Sequence, residues 1–447
     1  MRLTSGLQIA LAAGLVAAPP AASAQDRPWS LAWAVERALD RHPSFRAAEA
    51  QRDAAQAGIG EARATLWPQL RADASALRFE EPMVVAPLHG FNPQSPPDFD
   101  RTLLQLQLGL SHTLVDGGQR RAAIHRAEAL HARGVASARA ARAAVVVEAV
   151  RGWLEVAGHR AVLRAEDLRL EALGSERERV RQFLESGRAA PVDQLRIDAA
   201  VARAEADRAD RQEALQVAEA ALARLTGSTV AEIRNAAILP LRPRDSLLDG
   251  AAIRGLALDS GPDLEEARAR VAVTAAAAEA ASASWWPEIR VVAGYTDYSS
   301  GQQRVSGEWQ AGLRAGYPLL SGGGRQAAAR RTTLDLQAAE ADLEAANRRV
   351  SDAVDRAVAR ARGAASRAMA LARAVAQYEE VARIEALALE AGAGTQASWI
   401  TAEADLLGAR AAWIEARQAE VAARVELARL AGTLTAASLL SLVEEDR

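Results

Sequence analysis

Four short segments of the chain alternate between apolar and polar residues, the pattern of a strand with one apolar face. Two lie in the first half, at about residues 69–79 and 102–115, and two in the second half, at about 288–298 and 304–317. In the second segment leucine occupies every even position from 104 to 110, with polar or small residues between. Each segment therefore predicts a β-strand that buries one face and leaves the other in a polar environment.

Each strand pair leads into a long, proline-free segment with helical periodicity, at about 119–185 and about 325–391. At 1.5 Å per residue each of these helices would be about 100 Å long. Shorter return helices follow at about 192–226 and 398–430. Their apolar residues step by four and three, the pattern of a coiled-coil seam: Leu195, Ala199, Ala202, Ala206 and Ala209, then Ile400, Ala404, Leu407, Ala411 and Ile414. Alanine at most of these positions predicts closely packed helices.

The same succession of patterns occurs twice, which predicts a duplicated domain. The stretch "ALDRHP" at 38–43 resembles "ALDSGP" at 257–262, and "LARLTG" at 222–227 resembles "LARLAG" at 427–432. We assign the parts of the chain as follows: a first repeat at 25–227, an inter-repeat linker at 228–255, a second repeat at 256–432 and a C-terminal tail at 433–447.

The stretch between the first two strands, residues 80–101, is rich in proline, and the second repeat has only a short counterpart at 299–306. A segment that varies this much between the two copies is typical of a surface loop.

A glycine pair follows each strand pair, in "TLVDGGQRRA" and in "PLLSGGGRQA". Glycine permits an abrupt backbone bend, and a preceding Asp or Ser can cap the helix that begins there. We therefore predict two strand-to-helix junctions, formed by Asp116, Gly117, Gly118, Ser321, Gly322 and Gly323. At the same end of the strands lie three tryptophans in the positions of an interfacial aromatic belt: Trp67, Trp285 and Trp286.

The first 24 residues predict a signal peptide and an exported protein. Arg2 precedes an apolar run, and small residues end at Ala24, before Gln25. The run is too short to span a bilayer, and no other stretch is apolar enough for a transmembrane helix. The chain has no cysteine, which excludes disulfides and thiolate sites, and its net charge of −3 gives no basic field for nucleic acid.

Four strands with an apolar face cannot close a barrel, and open strand edges are not tolerated in lipid. The chain must therefore associate with copies of itself. Two copies would give eight strands, whose interior fills with side chains, and three would give twelve, wide enough for a lumen.

Nearly all of the mature chain resembles the TolC-type outer-membrane efflux proteins. The resemblance is carried by the start at 31–43, the Trp-Pro pairs, both glycine junctions, both glycine tips and both "LARLxG" endings. It implies a mainly helical, duplicated fold with membrane strands. The homotrimer would form a twelve-stranded outer-membrane barrel on a helical tunnel that crosses the periplasm.

The function implied by the resemblance is that of an exit duct for tripartite efflux or type I secretion, without a cofactor. The partners it implies are a periplasmic adaptor and an inner-membrane pump of the RND, ABC or MFS class. Adaptor contacts would lie at the tips between the long and return helices: Gly187, Arg188, Gly392, Gly394 and Thr395.

The resemblance also indicates where the periplasmic entrance narrows. In the family, an Asp six residues after the tip glycine of the second repeat, and another three further on, form this constriction and bind cations. The matching positions here are Ser398 and Thr401, so we expect a less anionic entrance. The first repeat keeps Asp193, which can equally be a charge favoured at a helix N-terminus.

Two other classes of protein have to be considered. A soluble periplasmic adaptor or scaffold also contains long helical hairpins, but without strand pairs in both repeats. An enzyme is disfavoured because the six histidines are scattered and no H-x-x-x-H, G-x-S-x-G or P-loop pattern occurs. The transported substrate is not specified by any residue cluster.

Overall fold

The computed structural model of the protein describes residues 29–87, 93–94, 96–244, 249–301 and 304–446. The predicted signal peptide, residues 1–24, lies outside the described residues. The first repeat holds α1 (Leu31–Arg41), α2 (Pro43–Ala64), β1 (Gln69–Val84), β2 (Phe99–Val115), α3 (Gln119–Glu185) and α4 (Pro191–Thr226). Between the repeats lie α5 (Val230–Asn235) and β3 (Leu241–Pro243). The second repeat and tail hold α6 (Gly250–Ser260), α7 (Pro262–Ala283), β4 (Glu288–Ser300), β5 (Arg304–Gly316), α8 (Gly324–Glu390), α9 (Gln396–Leu430), α10 (Ala436–Leu442) and β6 (Val443–Glu445).

The four long strands form one antiparallel sheet in the order β1-β2-β4-β5. Leu108 lies opposite Ala72 on one side and Tyr295 on the other, and Leu110 lies opposite Leu70 and Ala293, so these two leucines share one face with apolar residues of the neighbouring strands. On this face Trp309 is 78% exposed and Leu313 is 72% exposed. The apolar face is therefore uncovered in the single chain, as a lipid-facing surface would be.

The first hairpin reaches further than the sequence pattern predicted. After an irregularity between Arg78 and Met83, pairing resumes, with Met83 opposite Asp100 and Val84 opposite Phe99. The surface loop assigned to residues 80–101 is thus wrong at both ends, because its first and last residues belong to the strands. The irregularity interrupts the alternation on which the prediction depended.

The helices form a layer in which their contacts follow the order of the strands. On α3, the helices α2 and α4 pack on one side and α7 and α9 on the other, and α8 packs against α7 and α9. The edges of the layer are therefore α8 at one end and α2 with α4 at the other. Within the described residues, no helix combines the length and the apolar character needed to cross a membrane.

The linker and the tail fold together beside the middle of the long helices. Strand β3 pairs with β6, and the backbone N–H of Leu31 donates to the Glu445 carboxylate at 2.8 Å. Trp153 of α3 is fully buried there, and its ring N–H donates to the carbonyl of Leu239 at 2.9 Å. This cluster joins the two ends of the described chain. The predicted linker, 228–255, extends too far, because its last residues, from Gly250, belong to α6.

Candidate functional site

The first strand-to-helix junction is held by Asp116 and two left-handed glycines. Gly117 has φ 66° and Gly118 φ 97°, a conformation that side chains disfavour. The Asp116 carboxylate accepts from the backbone N–H of Gly118 at 3.0 Å and of Arg120 at 3.1 Å, and from the Arg120 side chain at 2.7 Å. Asp116 therefore caps the first turn of α3, the interaction predicted for it.

The second junction has the same backbone but a different cap. Gly322 has φ 57° and Gly323 φ 81°, and the backbone carbonyl of Ser321 accepts from the N–H of Gly324 at 2.9 Å. No side chain caps α8, so the expectation that Ser321 would do so is wrong. A serine hydroxyl is short, and the third glycine, Gly324, supplies the first residue of the helix.

We expect Asp116→Ala to destabilise the protein by about 1 kcal/mol, and Ser321→Ala to change its stability by less than about 0.5 kcal/mol. Burial alone would raise the pKa of Asp116, but the hydrogen bonds from Arg120 and Gly118 together lower it below the ordinary 3.8. The Asp116 contribution is thus fully present above pH 3.8 and is lost as the pH falls through the lowered value. Thermal unfolding of both variants, followed by helical circular dichroism at pH 7 and in acid, checks this. Equal losses at pH 7 would contradict it.

The tryptophan pair before β4 contacts both junctions. A Cβ on Gly117 would lie 2.5 Å from the carbonyl oxygen of Ala283 and 2.6 Å from the Cβ of Trp286. The ring of Trp285 lies 4.7 Å from the guanidinium of Arg325, which also lies 5.1 Å from the ring of Tyr317. Trp286 thus packs against the first junction, and Trp285 contacts a residue of the second. The sequence pattern alone did not indicate these contacts.

Exposed indoles lie at the end of the sheet that is next to the helices. Trp67 is 72% exposed and Trp286 is 64% exposed, and each precedes a strand of the apolar sheet. An indole with one apolar and one polar edge suits the boundary between lipid and water. Their role in the membrane interface stays a prediction.

The tips are built by left-handed glycines. Gly187 has φ 70°, and the N–H of Arg188 donates to the carbonyl of Phe183 at 2.7 Å, which closes the end of α3. The Arg188 guanidinium lies 5.4 Å from the Phe183 ring. No atom lies within 4 Å of a Cβ built on Gly187. This tip therefore has room for contact with another molecule.

The second tip combines one open glycine with one close-packed glycine. Gly392 has φ 73° and open space around it, whereas a Cβ on Gly394 would lie 3.0 Å from the Cβ of Ala388. Thr395 caps α9, since its hydroxyl accepts from the N–H of Ser398 at 3.1 Å. Contact with an adaptor at these residues stays a prediction.

The residues proposed for the entrance lie in the first turns of the return helices. The Asp193 carboxylate accepts from the N–H of Ala190 at 3.3 Å and lies 3.6 Å from Arg196. Ser398 and Thr401 donate to backbone carbonyls of the preceding turn. Asp193 thus lies in the first turn of α4, where a negative charge is favoured, and its role in an entrance stays a prediction.

Trp399, between the two entrance positions, is the residue that sequence reasoning missed. Its side chain is buried among Leu173, Val180, Ile197 and Val201, and so fastens the return helix of the second repeat to the hairpin of the first. Trp399 lies one position before Ile400, the first residue of the seam, and so belongs to no periodic apolar pattern in the sequence. Only its size could have suggested a contact between hairpins.

The sequence pattern of the family described as "Outer membrane efflux protein" matches residues 34–228 and 253–433. The chain belongs to this family. The two matched segments correspond to the two repeats, and the gap between them falls in the linker. The resemblance predicted from the junctions, tips and repeat endings is thereby confirmed, as is the duplicated, mainly helical fold with membrane strands. Family membership makes outer-membrane efflux the function of this chain.

Solved outer-membrane channels share the fold. The outer membrane protein VceC of Vibrio cholerae is 21% identical, with a TM-score of 0.77, and the match covers 90% of this chain and 96% of that one. The CmeC channel of Campylobacter jejuni is 14% identical, with a TM-score of 0.79 over 92% and 88% of the two chains. The open MtrE channel of Neisseria gonorrhoeae is 19% identical, with a TM-score of 0.73 over 91% of each. Among curated proteins, none matches this chain.

Proposed function

We propose that three copies of the chain form a closed duct from the periplasm to the outside of a Gram-negative cell, and that the duct serves tripartite efflux or type I secretion. The observation that carries this proposal is the sheet. Its apolar face is open, and β1 and β5 are edges without partners among the described strands. In a membrane lipid would cover the apolar face, whereas the two open edges require pairing with strands of further copies. Three copies give twelve strands, enough to enclose a polar lumen.

The polar face of the same sheet suits such a lumen. Asp73, Gln107, Thr296 and Glu308 lie opposite one another across the four strands, at one level of the sheet. Arg71 pairs with Asp73 at 2.8 Å on this face. The sheet thus has a polar face on one side and the leucines on the other, which favours a water-filled duct over a soluble adaptor.

The tips suit the partners that such a duct requires. They lie at the far end of two 67-residue helices, on the opposite side from the sheet. A periplasmic adaptor would contact Gly187, Arg188, Gly392, Gly394 and Thr395, and an RND, ABC or MFS pump would supply the substrate through it. The duct itself uses no cofactor in this proposal, and substrate choice belongs to the pump.

The oligomer is the first test. We expect the protein extracted from outer membranes in mild detergent to migrate as a trimer that dissociates on heating, because strand pairing holds the copies together. Gel electrophoresis of heated and unheated samples, with the fractionated periplasm as a control, checks this. Recovery of the protein as a soluble periplasmic monomer would favour the adaptor alternative and overturn the duct.

The loop between β1 and β2 tests the orientation. β1 ends at Val84 and β2 begins at Phe99, at the end of the sheet away from the tryptophans and the long helices, so we expect the loop between them to lie outside the cell. Pro93→Cys should react on whole cells with a thiol reagent that cannot cross the outer membrane, and the chain has no native cysteine to interfere. Ser186→Cys at the tip is the matched control and should react only after the outer membrane is opened. The reverse pattern of labelling would show that the duct is inverted.

A further inference from the structure

The two helical hairpins are equivalent in register over their whole length. Helices α3 and α8 both have 67 residues, and they begin and end at positions 205 apart, while α4 and α9 begin at positions that differ by the same number. The strand hairpins also match, since Leu70 lies opposite Leu110 and the equivalent Ile289 lies opposite Ala315. A contact made by one hairpin therefore has a defined counterpart in the other.

Within the chain, the seam of the second repeat packs on α3. Its five residues from Ile400 to Ile414 are half-buried, and the next seam position is Gln418. The Gln418 amide donates to the carbonyl of Leu154, and a Cβ on Gly158 would overlap that amide. The absence of a side chain at Gly158 thus makes room for Gln418 between the two hairpins.

The same seam in the first repeat has no partner within the described chain. Leu195 is 69% exposed, and the four seam alanines after it are exposed as well. The next seam position is Glu213, the counterpart of Gln418. The counterpart of Gly158 is Gly363 on α8, and open space surrounds it. Both halves of the contact are therefore present, on the two opposite edges of the helix layer.

We propose that Glu213 of one protomer lies over Gly363 of the next, as Gln418 lies over Gly158 within the chain. This inference rests on the proposed duct. In a closed ring of six hairpins, the step from the second repeat to the next protomer's first repeat would repeat the step inside each chain. The geometry assigns one register to the helices at the subunit boundary, and the equivalent strand register would bring Ala315 of β5 opposite Ala74 of β1.

The charges near Gly363 fit this register. Ionised Glu213 cannot donate to a carbonyl as Gln418 does, so it needs a cationic partner. Arg360 and Arg367 lie one turn before and one turn after Gly363 on the same helix face, are exposed, and have no ion pair within the described residues. Their first-repeat counterparts are Glu155 and Val162. The change from glutamine to glutamate on α4 is thus matched by two arginines on α8.

Disulfide trapping in the full chain tests the register. Glu213→Cys with Gly363→Cys should give covalent dimers and trimers on a non-reducing gel after mild oxidation, because a disulfide needs Cα atoms about 5–6 Å apart. The equivalent pair within the chain, Gln418→Cys with Gly158→Cys, should link without any increase in chain number. Ala206→Cys with Gly363→Cys, two turns away and about 10 Å along the helix, should give no covalent oligomer.

The outcomes separate this inference from the duct. Should unlinked trimers form while the 213/363 pair fails to link, or links no better than the 206/363 pair, the register is overturned and the duct stands. Absence of any trimer from the cysteine variants and from the wild-type protein would overturn the duct itself.

A charge exchange gives a second readout that does not depend on thiol chemistry. Glu213→Arg places like charges together, so the unheated trimer band should fall several-fold, and adding Arg360→Glu and Arg367→Glu to the same chain should restore it. Glu213→Gln recreates the glutamine of the second repeat and should leave the trimer intact. Failure of the triple variant to recover, with Glu213→Gln unchanged, would show that the arginines do not face Glu213.

Discussion

Gly117→Ala is expected to prevent the first junction from forming and to remove most of the protein from the outer membrane. A residue other than glycine at φ 66° costs about 1–2 kcal/mol in any surroundings. At this position the new Cβ would also lie 2.5 Å from the backbone oxygen of Ala283, the last residue of α7. That oxygen already accepts from the N–H of Trp286, so it cannot move aside cheaply. Overpacking of this kind adds about 1–3 kcal/mol. The sum is a large fraction of the stability of an ordinary domain.

Gly322→Ala is the matched control for this variant. Gly322 has a similar φ of 57°, but open space surrounds its Cβ position, so only the backbone strain applies. The amount of heat-labile trimer in outer-membrane fractions should fall at least tenfold for Gly117→Ala and by less than half for Gly322→Ala. Equal amounts of trimer from the two variants would show that the contact with Ala283 and Trp286 does not determine the junction.

Gly392→Trp is expected to abolish export while leaving the trimer in the membrane. Gly392 lies at the tip of the second hairpin with no atom within 4 Å of its Cβ position, so an indole there has room in the single chain. It would occupy the surface that an adaptor must approach. Its backbone strain, about 1–2 kcal/mol, is small beside the many contacts of two long helices.

Gly392→Ala separates bulk from strain, because it has the same backbone cost without the indole. In cells with the cognate adaptor and pump, export of a fluorescent substrate should fall to background for Gly392→Trp and stay near wild type for Gly392→Ala. Trimer levels should be equal in both. Loss of trimer in both variants would mean that Gly392 serves folding only. Full export by Gly392→Trp would show that the adaptor contacts other residues.

Long periodic elements were accessible from the sequence because their signals repeat many times. The structure gives α3 from Gln119 to Glu185 and α8 from Gly324 to Glu390, where proline-free helical periodicity begins and ends. The strands were less accessible at their outer ends, since the irregularity after Arg78 breaks the period of two. The missing Ser321 cap shows the same limit, because side-chain hydrogen bonds depend on local backbone geometry and not on residue type alone.

Contacts between the repeats could not be read from either repeat alone. Trp399 and Gln418 lie near or on the seam of α9, yet what each touches is decided by the packing of one hairpin on the other. The steps of four and three indicate the seam in both return helices. The seam of α9 is half-buried and the seam of α4 is exposed. This difference follows from the positions of the two helices in the layer, which only the structure shows.

Electron cryo-microscopy of the full chain in lipid nanodiscs tests the central claim most directly. The account predicts a particle with three-fold symmetry, a twelve-stranded barrel within the disc and an open lumen, with a helical body about 100 Å long on one side only. A single chain with an unclosed four-stranded sheet, or a helical body without a lumen through the disc, would contradict it.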